Sequence, residues 1–185
     1  MKKIKKFYCI GDSITYGARN EYFRNYVHEL NHIFKDKNII FENNSVNGET
    51  TSEIMKRYFH IVNTQELNGV IFLGGTNDTK VPIPLNIFKK NIETLIAVSK
   101  KMNIQLIIGL IPRIFTGLPN YSKNLGNEYV KKYNLIIKNL CKENKINMFD
   151  LSKLKELYFP DGIHTNNEGC EKIANLVKSE IYKCL

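Results

Sequence analysis

One serine, one aspartate and one histidine in this sequence have the types and the spacing needed for acyl transfer. Ser13 lies in Gly-Asp-Ser-Ile-Thr, directly after a short apolar run, and His164 follows Asp161 by three residues in Asp-Gly-Ile-His. A serine hydroxyl is a weak nucleophile until a neighbouring base removes its proton during attack. Histidine can serve as that base, and an aspartate bonded to its second ring nitrogen fixes the tautomer and stabilises the imidazolium. These residues predict a triad of Ser13, His164 and Asp161.

Two further residues have the chemistry required to stabilise a tetrahedral intermediate. The oxyanion needs preorganised hydrogen-bond donors, and losing one costs ~100- to 1,000-fold in rate. Gly48 offers an unshielded backbone N–H in Val-Asn-Gly-Glu-Thr, and Asn77 offers a side-chain amide in Gly-Gly-Thr-Asn-Asp. Together with the Ser13 N–H they form the predicted oxyanion hole. The neighbouring Asp12, Thr15 and Asp78 are interpreted as structural supports of their loops.

The elements that must position these residues are predicted by the alternation of short apolar runs with helical patterns. Five runs have the length of buried strands, at residues 7–10, 39–41, 70–73, 106–110 and 146–149. Apolar residues recur at helical spacing in five other segments, at residues 22–34, 54–62, 85–102, 130–141 and 168–182. Such alternation predicts right-handed crossovers and a parallel sheet covered on both faces. We therefore expect an α/β protein, a three-layer α/β/α sandwich.

The predicted site residues share one edge of that sheet. Ser13, Gly48 and Asn77 follow the first three apolar runs in order, and the segment 161–164 follows the fifth. Each residue alone is typical of an ordinary turn or helix cap. Sites in open parallel sheets are built at the carboxyl ends of strands, so their joint placement favours the catalytic interpretation.

Length, composition and charge restrict the class of protein. With 185 residues, 43% of them hydrophobic, the chain fits one core, and a single domain over residues 1–185 is expected. No signal-peptide apolar region or membrane-spanning segment is visible, which favours a cytoplasmic protein with no membrane span. The net charge of +9 comes from scattered lysines without a basic stripe, so no nucleic-acid partner is expected. The four cysteines form no Cys-x-x-Cys pair and are interpreted as free thiols.

One segment matches a different catalytic signature. Residues 28–32, His-Glu-Leu-Asn-His, fit the His-Glu-x-x-His pattern of zinc proteases. His28 and His32 project away from the apolar stripe of their helix, and no downstream segment supplies a third ligand. The segment is interpreted as a solvated helix face, and no metal or organic cofactor is expected. The alternative from another class is a catalytically silent protein that binds a metabolite or nucleotide at a helix N-terminus.

Taken together, the motif segments resemble the SGNH hydrolases, the GDSL-like lipase/esterase family. The matching segments occur in the family's order, at residues 11–15, Gly48, residues 75–78 and residues 161–164. The resemblance implies a flavodoxin-like sandwich with five parallel strands in the order 2-1-3-4-5. It also implies the Ser13–His164–Asp161 triad and an oxyanion hole formed by Ser13, Gly48 and Asn77.

The expected activity is hydrolysis of carboxylic esters through an acyl-enzyme on Ser13. Small acyl or acetyl esters of sugars or similar metabolites are the favoured substrates, because no long apolar lid for a lipid chain is visible. Lysophospholipases and thioesterases of the same family use the same residues, as does acyl transfer to an alcohol other than water. Phe115 and Tyr121, in the long connection at residues 112–124, are candidates for lining an acyl or sugar pocket.

Overall fold

A five-stranded parallel sheet forms the centre of the protein, whose computed structural model describes residues 4–20, 24–80, 82–116 and 122–184. The strands are β1 (Lys5–Gly11), β2 (Ile39–Asn43), β3 (Gly69–Leu73), β4 (Gln105–Leu110) and β5 (Asn147–Asp150). Their order is β2-β1-β3-β4-β5, and every neighbouring pair is parallel. The predicted fold class and strand order are confirmed.

Helices cover both faces of the sheet. The described residues form α1 (Ser13–Tyr16), α2 (Tyr26–Ile33), α3 (Thr51–Thr64), α4 (Leu85–Lys101), α5 (Lys123–Asn144) and α6 (Asn167–Tyr182). Helices α3, α4 and α5 pack on one face, and α2 and α6 pack on the other. Side chains of a strand point alternately to its two faces, so Tyr8 and Ile10 of β1 join the first core, while Phe7 and Cys9 join the second. The sheet is the middle of three layers.

Two helices differ most from the expected boundaries at their N-terminal ends. Helix α5 begins at Lys123, well before the first periodic apolar residue, Val130, and the Ser122 hydroxyl caps it. The opening turns of α5 are largely exposed, so no apolar spacing marks them. Helix α2 begins at Tyr26, capped by Asn25. Tyr22 and Phe23, expected at its start, lie outside the described residues.

The zinc-protease pattern falls on α2, where its histidines and its glutamate differ in burial. His28 and His32 are exposed, whereas Glu29 is buried and its carboxylate accepts a hydrogen bond from Arg24 Nε at 2.7 Å. Within residues 4–20, 24–80, 82–116 and 122–184, no group of three or more potential ligands is placed to hold a metal ion. The four cysteines are free thiols. No helix in the described part of the chain combines the length and apolar character needed to cross a membrane.

Candidate active site

The loops at the carboxyl ends of β1 and β5 bring Ser13, His164 and Asp161 together. The Ser13 hydroxyl lies 3.0 Å from His164 Nε2, and His164 Nδ1 lies 2.7 Å from Asp161 Oδ2. A hydroxyl within hydrogen-bond reach of an imidazole that a carboxylate orients is the arrangement that activates a serine nucleophile. The three predicted side chains therefore lie in one series of hydrogen bonds.

Ser13 is held at the first position of a single helical turn. Asp12 caps that turn, since its Oδ1 accepts the Ile14 N–H at 3.1 Å. The turn ends at Gly17, whose N–H donates to the Ser13 carbonyl at 3.1 Å. The serine side chain consequently projects from a short, closed segment directly after β1. This cap agrees with the interpretation of Asp12 as a structural support of its loop.

Asp161 closes the turn that carries His164. Its Oδ1 accepts the backbone N–H groups of Ile163 at 3.0 Å and His164 at 2.7 Å, while Oδ2 meets the His164 ring. Burial raises the pKa of the Asp161 carboxyl, but these hydrogen bonds outweigh it and hold the pKa below its ordinary value. The carboxylate therefore stays ionised at neutral pH and orients the imidazole.

The connection after β4 supports the same turn. Gly162 has φ 80°, and a Cβ there would lie 2.3 Å from the Thr116 side chain, so glycine alone fits. The Phe115 N–H donates to the Gly162 carbonyl at 2.9 Å, and the Phe115 ring packs on Phe159 with centroids 5.2 Å apart. This packing explains the position of Phe115, and its contact with a substrate stays a prediction. Tyr121 lies outside the described residues.

Gly48 and Asn77, the predicted oxyanion donors, belong to adjoining loops. Asn77 Nδ2 donates to the carbonyl of Glu49 at 2.9 Å, which fixes the amide and leaves its second N–H for another acceptor. Gly48 is exposed with φ 85°, and a Cβ there would meet nothing within 4 Å, so its backbone conformation is what favours glycine. Across the described residues, the N–H groups of Gly48 and Ser13 have no acceptor.

Arg57, on α3, braces the loop that carries Gly48. Its Nε lies 3.1 Å from Glu49 Oε2, its Nη2 donates to the Gly11 carbonyl at 3.3 Å, and its Nη1 contacts the Asn44 carbonyl. The planar guanidinium thus connects the loops after β1 and β2. Sequence reasoning missed this residue because a single arginine on an amphipathic helix has the pattern of a solvated side chain.

Asp78 attaches the loop after β3 to the start of α3. Its carboxylate accepts the Thr51 N–H at 2.9 Å and also the Thr51 hydroxyl. Burial raises the pKa of Asp78, and the two hydrogen bonds from Thr51 oppose that increase. The interpretation of Asp78 as a support of its loop agrees with these contacts.

A pocket of about 280 Å³ opens beside His164. Its walls come from the loop after α1 and from the loop after β2: Tyr16, Gly17, Ala18, Arg19, Asn20 and Asn47. Like Arg57, Arg19 belongs to no motif that sequence analysis could have found. Its Nε lies 3.0 Å from Asp161 Oδ2. A larger groove of about 860 Å³ runs along α5 and includes none of the predicted site residues.

Solved structures with the same fold include several esterases. The esterase EstA from Pseudoalteromonas sp., in a structure inhibited by monoethylphosphonate, is 18% identical with a TM-score of 0.80, and the match covers 97% of each chain. A GDSL-like lipase from Bacteroides thetaiotaomicron is 22% identical with a TM-score of 0.79, covering 98% of this chain and 89% of that one. An acetyl xylan esterase variant from Geobacillus stearothermophilus is 19% identical with a TM-score of 0.79, covering 98% and 97%. These likenesses show the fold.

The family assignment follows from the sequence profile. No curated protein matches the chain significantly. The profile of the GDSL-like Lipase/Acylhydrolase family, however, matches residues 9–172, a range that includes every predicted triad and oxyanion residue. Because this range spans most of the 185 residues, the chain belongs to the GDSL-like lipase/acylhydrolase family of ester hydrolases.

Proposed function

We propose that the protein is a serine esterase, organised as one domain, that hydrolyses carboxylic esters through an acyl-enzyme on Ser13. The observation that carries this proposal is the series of hydrogen bonds from Ser13 Oγ to His164 Nε2 at 3.0 Å and from His164 Nδ1 to Asp161 Oδ2 at 2.7 Å. A nucleophile, a base and an orienting carboxylate within these distances are what acyl transfer requires.

In the first half of the reaction, His164 Nε2 takes the proton of Ser13 as the hydroxyl oxygen attacks the acyl carbonyl. Asp161, ionised because its hydrogen bonds lower its pKa, stabilises the imidazolium that forms. The backbone N–H groups of Ser13 and Gly48 and the Asn77 amide donate to the oxyanion. His164 then protonates the departing alcohol, and the acyl group stays on Ser13.

In the second half, water replaces the alcohol. His164 removes a proton from a water molecule as its oxygen attacks the acyl-enzyme carbonyl, and the same donors hold the second oxyanion. Collapse of this intermediate breaks the bond to Ser13 Oγ, which recovers its proton from His164. The free carboxylic acid leaves, and the site returns to its starting state.

The substrates we infer are short acyl esters, acetyl esters foremost, of sugars or similarly polar alcohols. The pocket beside His164 is small, about 280 Å³, and polar groups of Arg19, Asn20 and Asn47 are among its walls. A long acyl chain requires an extended apolar cavity instead. One fold relative is an acetyl xylan esterase, which is a precedent for this class of substrate on this fold.

Hydrolysis of p-nitrophenyl acetate, butyrate and octanoate tests the proposal. We expect the wild-type protein to favour acetate, and we expect Ser13→Ala to lose roughly 1,000-fold or more in kcat while retaining its circular dichroism spectrum. Ser179→Ala, which changes an exposed serine on α6, is the matched control and should keep its activity. A Ser13→Ala protein with more than about a tenth of the wild-type rate would refute Ser13 as the nucleophile, since the loss expected is far larger.

A further inference from the structure

The pocket beside the catalytic residues has one cation in its described walls, and that cation is Arg19. Its side chain is 68% exposed, yet it does not extend freely into solvent, because Nε lies 3.0 Å from Asp161 Oδ2. The ion pair places the guanidinium beside Asp161 at the mouth of the pocket. Arg19 therefore lines the same pocket as His164, whose Nε2 is 3.0 Å from Ser13 Oγ.

The terminal nitrogens of Arg19 are available for a ligand. Nε lies 3.0 Å from Asp161 Oδ2, and Asp161 is the one partner that the described residues provide for this side chain. A guanidinium presents its N–H groups in a planar fork that matches the oxygens of a carboxylate or a phosphate. The outer edge of the fork can therefore bind an anion while the inner edge stays on Asp161.

Arg19 offsets the negative charge that would otherwise repel an anionic ligand at the pocket. Arg19 balances the Asp161 carboxylate, and Glu49, on the opposite loop, is already paired with Arg57. Removing Arg19 would leave the negative charge of Asp161 facing the entrance. The overall net charge of +9 also raises the local concentration of anions.

We propose that Arg19 determines specificity by selecting esters that carry a carboxylate or a phosphate close to the scissile bond. This inference rests on the proposed esterase function and narrows its substrate class to acylated acids, such as acylated acidic or phosphorylated sugars. The anionic group binds the outer N–H groups of Arg19, and the ester carbonyl lies between Ser13 and the oxyanion donors.

The test compares three aryl acetates that differ only in their para substituent: a carboxylate, a phosphate and a neutral carboxamide. For each protein the measured quantity is the ratio of kcat/KM for the anionic ester to kcat/KM for the carboxamide. All three esters use the same triad, so the ratio cancels any effect of a substitution on Asp161. Comparing the carboxylate ester with the phosphate ester shows which of the two anionic groups the protein prefers.

For the wild-type protein, kcat/KM should be roughly 10-fold or more higher for at least one anionic ester than for the carboxamide, as expected for a charge-assisted hydrogen bond. Arg19→Gln should abolish the preference, and Arg19→Lys should retain part of it. Lys123→Gln, which removes an equal charge from an exposed position at the start of α5, should keep the wild-type ratio.

Equal ratios in the wild-type, Arg19→Gln and Arg19→Lys proteins would overturn the inference and leave the esterase proposal standing, provided that hydrolysis depends on Ser13. Equal losses of the ratio in Arg19→Gln and Lys123→Gln would overturn it too, because general attraction of anions would then explain the preference. Absence of any hydrolysis that depends on Ser13 would overturn both proposals.

Discussion

The Asp161 carboxylate shows how much of this site depends on single residues. One oxygen closes the turn by accepting two backbone N–H groups, and the other meets both His164 Nδ1 and Arg19 Nε. Burial raises the pKa of the carboxyl, but the hydrogen bonds from His164 and Ile163 hold the pKa below its ordinary value, so the group is negatively charged near neutral pH. A fixed, ionised aspartate selects the imidazole tautomer whose unprotonated nitrogen faces Ser13.

Replacing this carboxylate should damage catalysis more than folding. We expect Asp161→Asn to lower kcat by roughly 100- to 10,000-fold, because an amide favours the wrong tautomer of His164. The ester assay measures this loss, and the unfolding midpoint shows whether the fold persists. Asp150→Asn is the control. Asp150 ends β5 at the same edge of the sheet and accepts the Ser152 N–H, and its replacement should retain full activity. An active Asp161→Asn protein would refute the role of this aspartate.

Asp12 gives a second prediction, on the pH dependence of stability. Burial, together with the nearby Asp78, raises the pKa of Asp12 to about 7, although backbone hydrogen bonds from Ile14 and Thr76 oppose the increase. An unfolded carboxyl titrates near pH 3.9, so between roughly pH 4 and pH 7 the folded state holds the extra proton. The contribution of Asp12 to stability is therefore greatest at low pH and is lost as the pH rises through 7.

Urea unfolding at pH 5 and at pH 8 measures this effect. At about 1.4 kcal/mol per pKa unit, Asp12 should make the wild-type protein roughly 3 kcal/mol less stable at pH 8 than at pH 5, apart from the contributions of other groups. Asp12→Asn should remove that part of the pH dependence, whereas Asp36→Asn, at an exposed position, should preserve it. Equal pH dependence in the wild type and Asp12→Asn would show that Asp12 does not titrate in this way.

The roles at residue scale were predictable in part. Ser13, Asp161 and His164 each lie in a segment whose residue types carry their own chemistry, and the structure joins them by hydrogen bonds. The contacts of Arg19 and Arg57 were not predictable, because no motif or sequence spacing connects either arginine to its partner. Arg19 meets an aspartate from the far end of the chain, and only the fold brings the two together.

At the scale of elements, the strands were predicted better than the ends of the helices. Continuous apolar runs mark β1 and β3 because helices bury both faces of the sheet. The strands nevertheless extend beyond the runs, to Lys5 and Gly11 in β1, since pairing with the neighbouring strands decides where a strand ends. The one-turn helix α1, which holds Ser13, is too short for any hydrophobic period to show.

Helix α3 reaches the loops of the predicted oxyanion hole through Arg57. We expect Arg57→Met to lower kcat by roughly 10- to 100-fold, because Gly48 and the Asn77 amide depend on the loop that Arg57 holds, and a misplacement of about 1 Å is costly. Lys56→Met, at an exposed neighbouring position, should have wild-type kinetics. Wild-type kcat in the Arg57→Met protein would mean that the loop keeps its position unaided.

At the scale of the whole molecule, the strand order decides where the site forms. The sheet runs from β1 to β2 in one direction and to β3 in the other, and α2 and α3 cover opposite faces. The order reverses at β1, and the resulting crevice at the carboxyl ends is where sites form in such sheets. The alternation of strands and helices predicted the three layers, whereas the order itself came from the family resemblance, because local patterns do not specify which strands become neighbours.

The central claim is that Ser13 is an activated nucleophile, and intact mass after reaction with a small organophosphonate tests it most directly. The reaction requires the nucleophile, the base and the oxyanion hole together. We predict a single adduct on the wild-type protein, located by peptide mapping at Ser13, formed more slowly on Asp161→Asn and absent from Ser13→Ala. A folded wild-type protein that forms no adduct, or an adduct that persists in Ser13→Ala, would contradict the account.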